Sequence, residues 1–235
     1  MGINNWLTNI QDWLLPRLCP GCGDWAGAGR ELCPGCEDGL PLITAACPRC
    51  ATPYDHPDVH GECGRCQHRP PPFDRAVAVY RYAPPVDHFI RALKFHGQLG
   101  LGRWLGERLT ERIAADDARP QLIVPVPLHR ARLRSRGYNQ ALELARPAAR
   151  TLGLPIDART LRRIRATDAQ SDLPFEARRR NVRGAFAVAD PEAVRDRRIA
   201  LIDDVMTTGN TVGAAAAALR AAGAAEIEVW VIARA

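Results

Sequence analysis

The stretch Ile199-Ala-Leu-Ile-Asp203-Asp204-Val-Met-Thr207-Thr208-Gly209-Asn210-Thr211 places two acids and a Thr/Gly loop between an apolar run and a helical pattern. The run at 198–202 predicts a buried strand, and the alanine-rich pattern at 212–222 predicts a helix capped by Gly223. Backbone N–H groups of such a loop, with the helix dipole behind them, bind anions. Paired carboxylates at a strand end suit ribose hydroxyls or Mg²⁺. The stretch therefore predicts an anion-binding strand–loop–helix unit.

The segments around this unit alternate between strand and helix patterns, which is typical of a parallel α/β sheet. Further strands are predicted at 76–82, 121–126 and 227–232, helices at 86–93, 99–114 and 140–152, and a basic loop at 159–181. The loop lacks the Gly-Lys-Ser/Thr ending of a Walker sequence, and no dinucleotide fingerprint precedes it.

The Asp-Asp-x-x-Thr-Thr-Gly-x-Thr string resembles the signature of type I phosphoribosyltransferases. That resemblance implies phosphoribosyl pyrophosphate (PRPP) with Mg²⁺ as the ligand, with Asp203 and Asp204 as the catalytic acids that hold the ribose. It also implies that a run of loop residues wraps the 5′-phosphate, namely Val205, Met206, Thr207, Thr208, Gly209, Asn210 and Thr211. No covalent nucleophile is needed, because positioning and charge stabilisation can supply the catalysis.

Three more segments, at 93–97, 124–141 and 165–186, resemble motifs of the ComF family. The family resemblance implies a type I phosphoribosyltransferase-like parallel sheet flanked by helices, preceded by a small Cys-rich zinc-ribbon module. We expect residues 1–70 to form the helix and double zinc-ribbon module, and residues 71–235 to form the phosphoribosyltransferase-like domain. The sole lysine among 32 basic residues, Lys94, falls in the first of these motifs and is a further ligand candidate.

Four arginines crowd positions 130, 132, 134 and 136, directly after the strand that ends near Pro127. Like charges at every second position repel on one strand face, and an anion would relieve that repulsion. The resemblance implies pyrophosphate binding by this loop, with the candidates Leu128, His129, Arg130, Arg134 and Arg136. The alternative is a solvated basic face or a nucleic-acid patch.

Residues 159–183 hold eight arginines against three acids. The segment matches the position of the flexible hood that closes over PRPP in the phosphoribosyltransferase fold, and such a loop must be polar when open and exclude water when shut. Its polar candidates are Gln170, Arg178 and Asn181. A disordered basic loop is the alternative.

All eight cysteines lie in the first 66 residues, as four C-x-x-C pairs. Eight thiolates predict two tetrahedral Cys₄ zinc sites, which suit this spacing better than disulfides, a redox motif or iron–sulfur clusters. Sequential pairing is the simplest, with one ion on Cys19, Cys22, Cys33 and Cys36 and the other on Cys47, Cys50, Cys63 and Cys66, while interleaved pairing stays open. We expect the nearby His56, His60 and His68 to be surface residues.

Charge is unevenly placed: residues 1–70 carry 5 Arg against 8 acids, and the remainder carries 27 basic against 18 acidic residues. The basic half favours an anionic partner.

Residues 1–15 show helical spacing without the basic start of a signal peptide, so we expect a cytoplasmic chain with no membrane insertion.

Three functions are compatible with these motifs. The family resemblance implies a ComF-type factor that binds PRPP and assists single-stranded DNA uptake in natural transformation, beside a helicase-like competence protein. The alternatives are an orphan phosphoribosyltransferase, transferring a pentosyl group to a small molecule of nucleotide metabolism, and a non-catalytic regulator that senses PRPP. Aromatic residues make up only 6%, which provides few stacking platforms for DNA on the fold alone.

Overall fold

The computed structural model describes residues 18–114, 120–165 and 184–235. In chain order, its elements are α1 (Pro34–Asp38), α2 (Gly64–His68), β1 (Arg75–Arg81), α3 (Val86–Phe95), α4 (Leu99–Ala114), β2 (Leu122–Pro125), α5 (Arg130–Arg136), α6 (Gln140–Leu152), β3 (Leu161–Arg163), β4 (Phe186–Val188), a 3₁₀ turn (Pro191–Ala193), β5 (Arg198–Met206), α7 (Asn210–Ala221) and β6 (Glu226–Arg234). Within these residues, no helix combines the length and apolar character needed to cross a membrane.

The central sheet has four strands in the order β1-β6-β5-β2, and every neighbouring pair is parallel. Leu201 of β5 lies opposite Val124 of β2 on one side and Val229 of β6 on the other. All three side chains are buried. Strands that are covered on both faces bury every side chain, so their sequences are continuous apolar runs. The predicted fold class, a parallel sheet flanked by helices behind a Cys-rich module, is confirmed.

Helices cover the two faces of the sheet and create two apolar cores. On one face, α3, α4 and α6 pack through residues such as Phe89, Leu105 and Leu144. On the other face, α7 packs together with the antiparallel β3–β4 pair. Parallel strands require such crossover connections, so the helices follow from the strand order.

The zinc-ribbon module covers the free edge of β1. The amide of Ile43 donates to the Val79 carbonyl at 2.9 Å, and the Arg81 amide donates to the Pro41 carbonyl at 2.8 Å. Leu32 joins the core beneath α4, and Ile43 joins the core on the other face. An uncovered edge strand invites aggregation, so this contact protects the sheet. The division of the chain at residues 70 and 71 stays a prediction.

The arginine-rich segment after β2, predicted to be a loop, is the helix α5, so its arginines do not alternate on a strand face. The His129 ring nitrogen Nδ1 accepts from the Ala131 amide at 3.4 Å and caps α5 at its start, while Gly137 ends it in the left-handed region at φ 85°. Helical residues two apart point in nearly opposite directions, so the four arginines do not share one face. The capping residues at both ends stabilise a helix here, and their effect is larger than the repulsion among the four arginines.

The basic segment 159–181 is not wholly a loop, since β3 occupies Leu161–Arg163 and pairs with β4. Leu161 is buried against the core under α7, and this burial stabilises the short strand. The hood candidates Gln170, Arg178 and Asn181 lie outside the described residues, as does the helix predicted for residues 1–15.

Candidate functional site

The acidic pair lies inside β5, which runs to Met206 rather than ending at residue 202 as predicted. Asp203 lies opposite Val231 of β6, so the ladder fixes the backbone of the acidic pair. The loop that follows is only Thr207–Gly209, and α7 begins at Asn210, two residues earlier than predicted. Gly209 adopts φ 78°, a left-handed conformation that any side chain would strain. The sequence therefore folds into a short rigid turn beside two carboxylates.

Backbone amides orient both carboxylates. Oδ1 of Asp203 accepts from the Asp204 amide at 2.9 Å, and Oδ1 of Asp204 accepts from the Val205 amide at 2.8 Å. Both acids are buried. Nζ of Lys94, from the end of α3, lies 2.6 Å from Oδ2 of Asp204 in an ion pair. Lys94 therefore pairs with the buried Oδ2 of Asp204 in the ligand-free chain.

Asp203, Asp204 and Lys94 influence one another's protonation. Burial and the neighbouring Asp204 raise the pKa of Asp203 to about 8, against the opposing effect of Lys94. Burial works to lower the pKa of Lys94, but the carboxylates of Asp204 and Asp203 outweigh it and hold this pKa above its ordinary value. At neutral pH the cluster therefore holds a protonated Asp203 beside a Lys94–Asp204 ion pair.

Replacing Asp203 by Asn should stabilise the ligand-free protein, and more so at higher pH. Because the pKa of Asp203 rises from an unfolded value of 3.8 to about 8 on folding, native stability falls as pH rises through that window. Asn carries no charge and keeps the Oδ1 acceptor. We expect the difference in unfolding midpoint temperature between variant and native chain to grow from pH 5 to pH 8.5, without Mg²⁺. The exposed Asp58→Asn variant is the control, and a difference independent of pH would contradict the assignment.

A second cation approaches the acidic pair from α5. The Arg136 guanidinium lies 5.5 Å from the centre of the Phe95 ring and donates to Oε1 of Gln140 at 2.5 Å. Burial lowers the pKa of Arg136, and the charge of Asp204 acts in the opposite direction. The Tyr138 hydroxyl donates to the Leu93 carbonyl, tying the end of α3 to the segment after α5. Lys94 thus pairs with Asp204 directly, and the charge of Arg136 lies within electrostatic range of the same carboxylate.

The structure treats the five pyrophosphate candidates differently. Arg136 is the one that comes within electrostatic reach of the acidic pair. His129 caps α5, and Leu128 beside it is half-buried. Arg130 and Arg134 are exposed on α5 and point to solvent.

Arg163 of β3 is a candidate that sequence reasoning missed. Its guanidinium lies 5.6 Å from the Phe186 ring centre. Burial and the charge of Arg132 lower the pKa of Arg163, against the opposing effect of Asp203, so the acidic pair lies within electrostatic range of this side chain. The sequence signal was the cluster of eight arginines, but only the pairing of β3 with β4 singles out this position.

The cysteines form two clusters, and the sequential pairing is confirmed. Within each group of four, all sulfur atoms lie within 4.8 Å of one another. The Cys22–Cys33 and Cys50–Cys63 sulfur pairs are both 3.7 Å apart. Tetrahedral zinc with bonds of about 2.3 Å requires sulfur separations of about 3.8 Å, so both clusters fit structural zinc. The three histidines His56, His60 and His68 are exposed, as expected.

The two zinc ribbons repeat one structure, beyond the repetition of cysteine pairs visible in the sequence. In the first ribbon, the Cys33 amide donates to the Cys19 sulfur at 3.4 Å, and in the second the Cys63 amide donates to the Cys47 sulfur at 3.3 Å. Each of these amides belongs to the residue that caps a short helix, α1 or α2. Matching bridges join Leu18 to Trp25 and Ala46 to Pro53. The module is therefore an internal duplication.

The strand order, the carboxylate pair and the Thr/Gly turn into α7 define a phosphoribosyltransferase-type domain. The phosphoribosyl transferase domain family matches residues 139–235, and the double zinc ribbon domain family matches residues 10–67.

Named relatives extend this match across most of the chain. The DNA utilization protein YhgH of Salmonella typhi is 36% identical over 79% of this chain and 82% of its own length. Competence protein F of Haemophilus influenzae is 36% identical over 74% of this chain and 78% of its own length. The chain belongs to the ComF family of phosphoribosyltransferase-fold proteins with an N-terminal double zinc ribbon. A solved allosteric regulatory enzyme of purine biosynthesis is 21% identical, covers 55% of this chain and 25% of its own, and has a TM-score of 0.36.

Proposed function

We propose that this chain binds PRPP with Mg²⁺ at the edge of the sheet where β5 ends. The observation that carries the proposal is the buried pair Asp203 and Asp204, placed two residues before the turn Thr207–Gly209. Carboxylates accept hydrogen bonds from ribose hydroxyls, and the turn offers amides to a phosphate. Only Val205 and Met206 separate the acidic pair from the turn, so the groups suited to the ribose and to the phosphate lie at the same end of β5.

The phosphate side has unused donors. α7 is 12 residues long, so its dipole places positive potential at the turn. Nδ2 of Asn210, at the first helical position, is buried without a hydrogen-bond partner among the described residues. A phosphate bound at the turn would satisfy it, because buried donors seldom remain unpaired. We therefore place the 5′-phosphate against residues 205–211.

The opposite side of the acidic pair suits Mg²⁺ and pyrophosphate. Oδ2 of Asp204 is a buried carboxylate oxygen, a ligand type that Mg²⁺ prefers. Bound Mg²⁺ would neutralise charge on the leaving pyrophosphate. Asp203, whose pKa is about 8, releases a proton when a cation binds. Arg136 and Lys94 supply the nearby positive charge, and Arg130 and Arg134 extend it along α5.

We further propose that the PRPP-bound chain assists the handling of single-stranded DNA in the cytoplasm, beside a helicase-like partner. The names of the relatives, a DNA utilization protein and a competence protein, support this role. Exposed arginines on α5 and around β3 provide a phosphate-binding surface, which we define as Arg130, Arg134, Arg159 and Arg162. The charge of Arg132 acts on the pKa of Arg163, which supports treating α5 and β3 as one basic surface.

Binding of a fluorescent single-stranded oligonucleotide, measured from 50 to 300 mM salt with and without PRPP and Mg²⁺, tests the DNA role. Three or four arginine–phosphate contacts predict a log–log slope of about −2 to −3. A flat salt response would contradict the arginine surface. Pyrophosphate release in the presence of nucleobases would identify an orphan transferase, and PRPP binding without release or DNA binding would identify a sensor.

Lys94 should resist replacement even by arginine. Its ammonium lies 2.6 Å from Asp204, and a planar guanidinium is too large for the same contact. We expect Lys94→Arg to weaken PRPP binding by about tenfold. Lys94→Met leaves Asp204 unpaired and should cost about 2 kcal/mol of stability, at the low end for a buried pair because Lys94 is 25% exposed. Calorimetry and thermal unfolding measure both, and Arg91→Lys on the same helix is the control. Unchanged PRPP binding by Lys94→Arg would mean that the site does not require a lysine at position 94.

A further inference from the structure

Arg234, near the end of β6, is buried, and its guanidinium lies within hydrogen-bonding distance of five acceptors. Its exposed fraction is 3%, and in the sheet it lies opposite Met206 of β5. The acceptors lie in two separate parts of the molecule, namely the carbonyls of Met206, Thr207 and Ala235 on one side and the Cys50 carbonyl and Thr52 hydroxyl on the other. One side chain thus joins the phosphate turn to the second zinc ribbon.

On the side of the turn, Arg234 fixes the direction of two peptide groups. Nη1 donates to the Met206 carbonyl at 3.1 Å and to the Thr207 carbonyl at 2.5 Å. In a trans peptide the carbonyl and the following N–H point in opposite directions. Holding these carbonyls toward Arg234 therefore turns the amides of Thr207 and Thr208 away from it, to the side open to a bound anion. The guanidinium also adds positive charge behind the turn.

On the side of the zinc ribbon, Arg234 is held next to a metal ligand. Nε donates to the Cys50 carbonyl at 3.0 Å, and Nη2 donates to Oγ1 of Thr52 at 2.9 Å. That same Oγ1 lies 3.1 Å from the Cys50 sulfur. A buried charge needs compensation, and while burial lowers the pKa of Arg234, the charge of Cys50 acts in the opposite direction. Four thiolates with one zinc ion carry a formal charge of about −2, which compensates the guanidinium.

We propose that Arg234 is a positioning residue through which the second zinc ribbon holds the phosphate turn in its anion-binding shape. The inference rests on the proposed PRPP site and deepens it. The second ribbon, which the fold alone would assign to covering the sheet edge, becomes part of the ligand-binding apparatus. Disruption of that ribbon at Thr52 then weakens PRPP binding although Thr52 touches no ligand.

The test compares Arg234→Met, Arg234→Lys and Thr52→Val with a matched control. The control is Arg81→Met, because Arg81 donates to the Tyr54 carbonyl of the same ribbon at 2.6 Å and has no described contact with the turn. PRPP affinity is measured with Mg²⁺ by calorimetry, and hydrogen exchange of the amides at 207–211 is measured without ligand. Zinc content is recorded for every variant.

We expect Arg234→Met to weaken PRPP binding by about tenfold or more and to speed exchange in the turn, since charged hydrogen bonds to two carbonyls are lost. Arg234→Lys should recover part of both, and Thr52→Val should weaken affinity by about threefold. Arg81→Met should stay within about twofold of the native chain. If Arg234→Met does not fold, Arg234→Lys and Thr52→Val still test the inference.

Two results would overturn the inference. One is native affinity and native exchange in Arg234→Met. The other is an equal loss in Arg81→Met, which would assign the effect to ribbon docking in general. Failure of the proposed function looks different: the native chain would not bind PRPP, while faster exchange in Arg234→Met would still report the positioning of the turn.

Discussion

Replacing Asp203 and Asp204 together by Asn is expected to lower Mg²⁺-dependent PRPP affinity by about a hundredfold or more. The double variant removes the charges that attract the cation and weakens the acceptors for the ribose hydroxyls. The amides that orient the two side chains can still bond to Asn oxygens, so the backbone of β5 should stay in place. Calorimetric titration with PRPP at fixed Mg²⁺ measures the loss.

A matched control removes two charges elsewhere. Asp38 and Asp58 are exposed on the zinc ribbons, and their joint replacement by Asn should leave PRPP affinity unchanged. The Asp203→Asn single variant, which keeps the Lys94–Asp204 pair, should unfold no earlier than the native chain above pH 8, because burial of the ionised Asp203 is costly there. Retained PRPP binding in the acidic-pair variant would exclude these carboxylates from the site.

Loss of one zinc ion should unfold one ribbon. Cys47→Ser is expected to lower the metal content from two zinc ions per chain to one, and to open the second ribbon to proteolysis at Arg49 and Arg65. Metal binding supplies about 10–16 kcal/mol in zinc-finger peptides, and this small module has little apolar core of its own to replace it. Elemental analysis and timed trypsin digestion measure both effects.

The matched variant is Cys19→Ser, which occupies the equivalent position in the duplicated first ribbon. It should also leave one zinc ion but open the first ribbon instead. Digestion that opens both ribbons in either variant would contradict two independent sites. Iron in place of zinc would contradict the metal assignment.

The sequence predicted those parts of the protein that depend on local pattern. Helical periodicity placed α4 at Leu99–Ala114 with the observed bounds, and the C-x-x-C spacing predicted the two clusters of four cysteines. The acidic pair and the Thr/Gly turn were evident because strand, loop and helix signals follow one another within 13 residues. Local signals of this kind need no knowledge of distant contacts.

The remaining features depend on contacts that the sequence does not display. β3 exists because Phe186 and its neighbours pair with it across an intervening segment, and α5 exists because two end caps outweigh four like charges. Arg234 lay outside the strand predicted at 227–232, so sequence reasoning assigned it no role. Its five partners are brought together only when β6, the turn and the second ribbon meet. The burial of this charged residue is visible only in the structure, and it is the observation that points to a role for Arg234.

Calorimetric titration of the native chain with PRPP, once with Mg²⁺ and once with the metal chelated, tests the central claim most directly. The account predicts saturable binding of one PRPP per chain with Mg²⁺, and much weaker binding without it, because the acidic pair needs a cation to meet the anionic ligand. Absence of binding in both titrations, by a chain that carries its full two zinc ions, would contradict it.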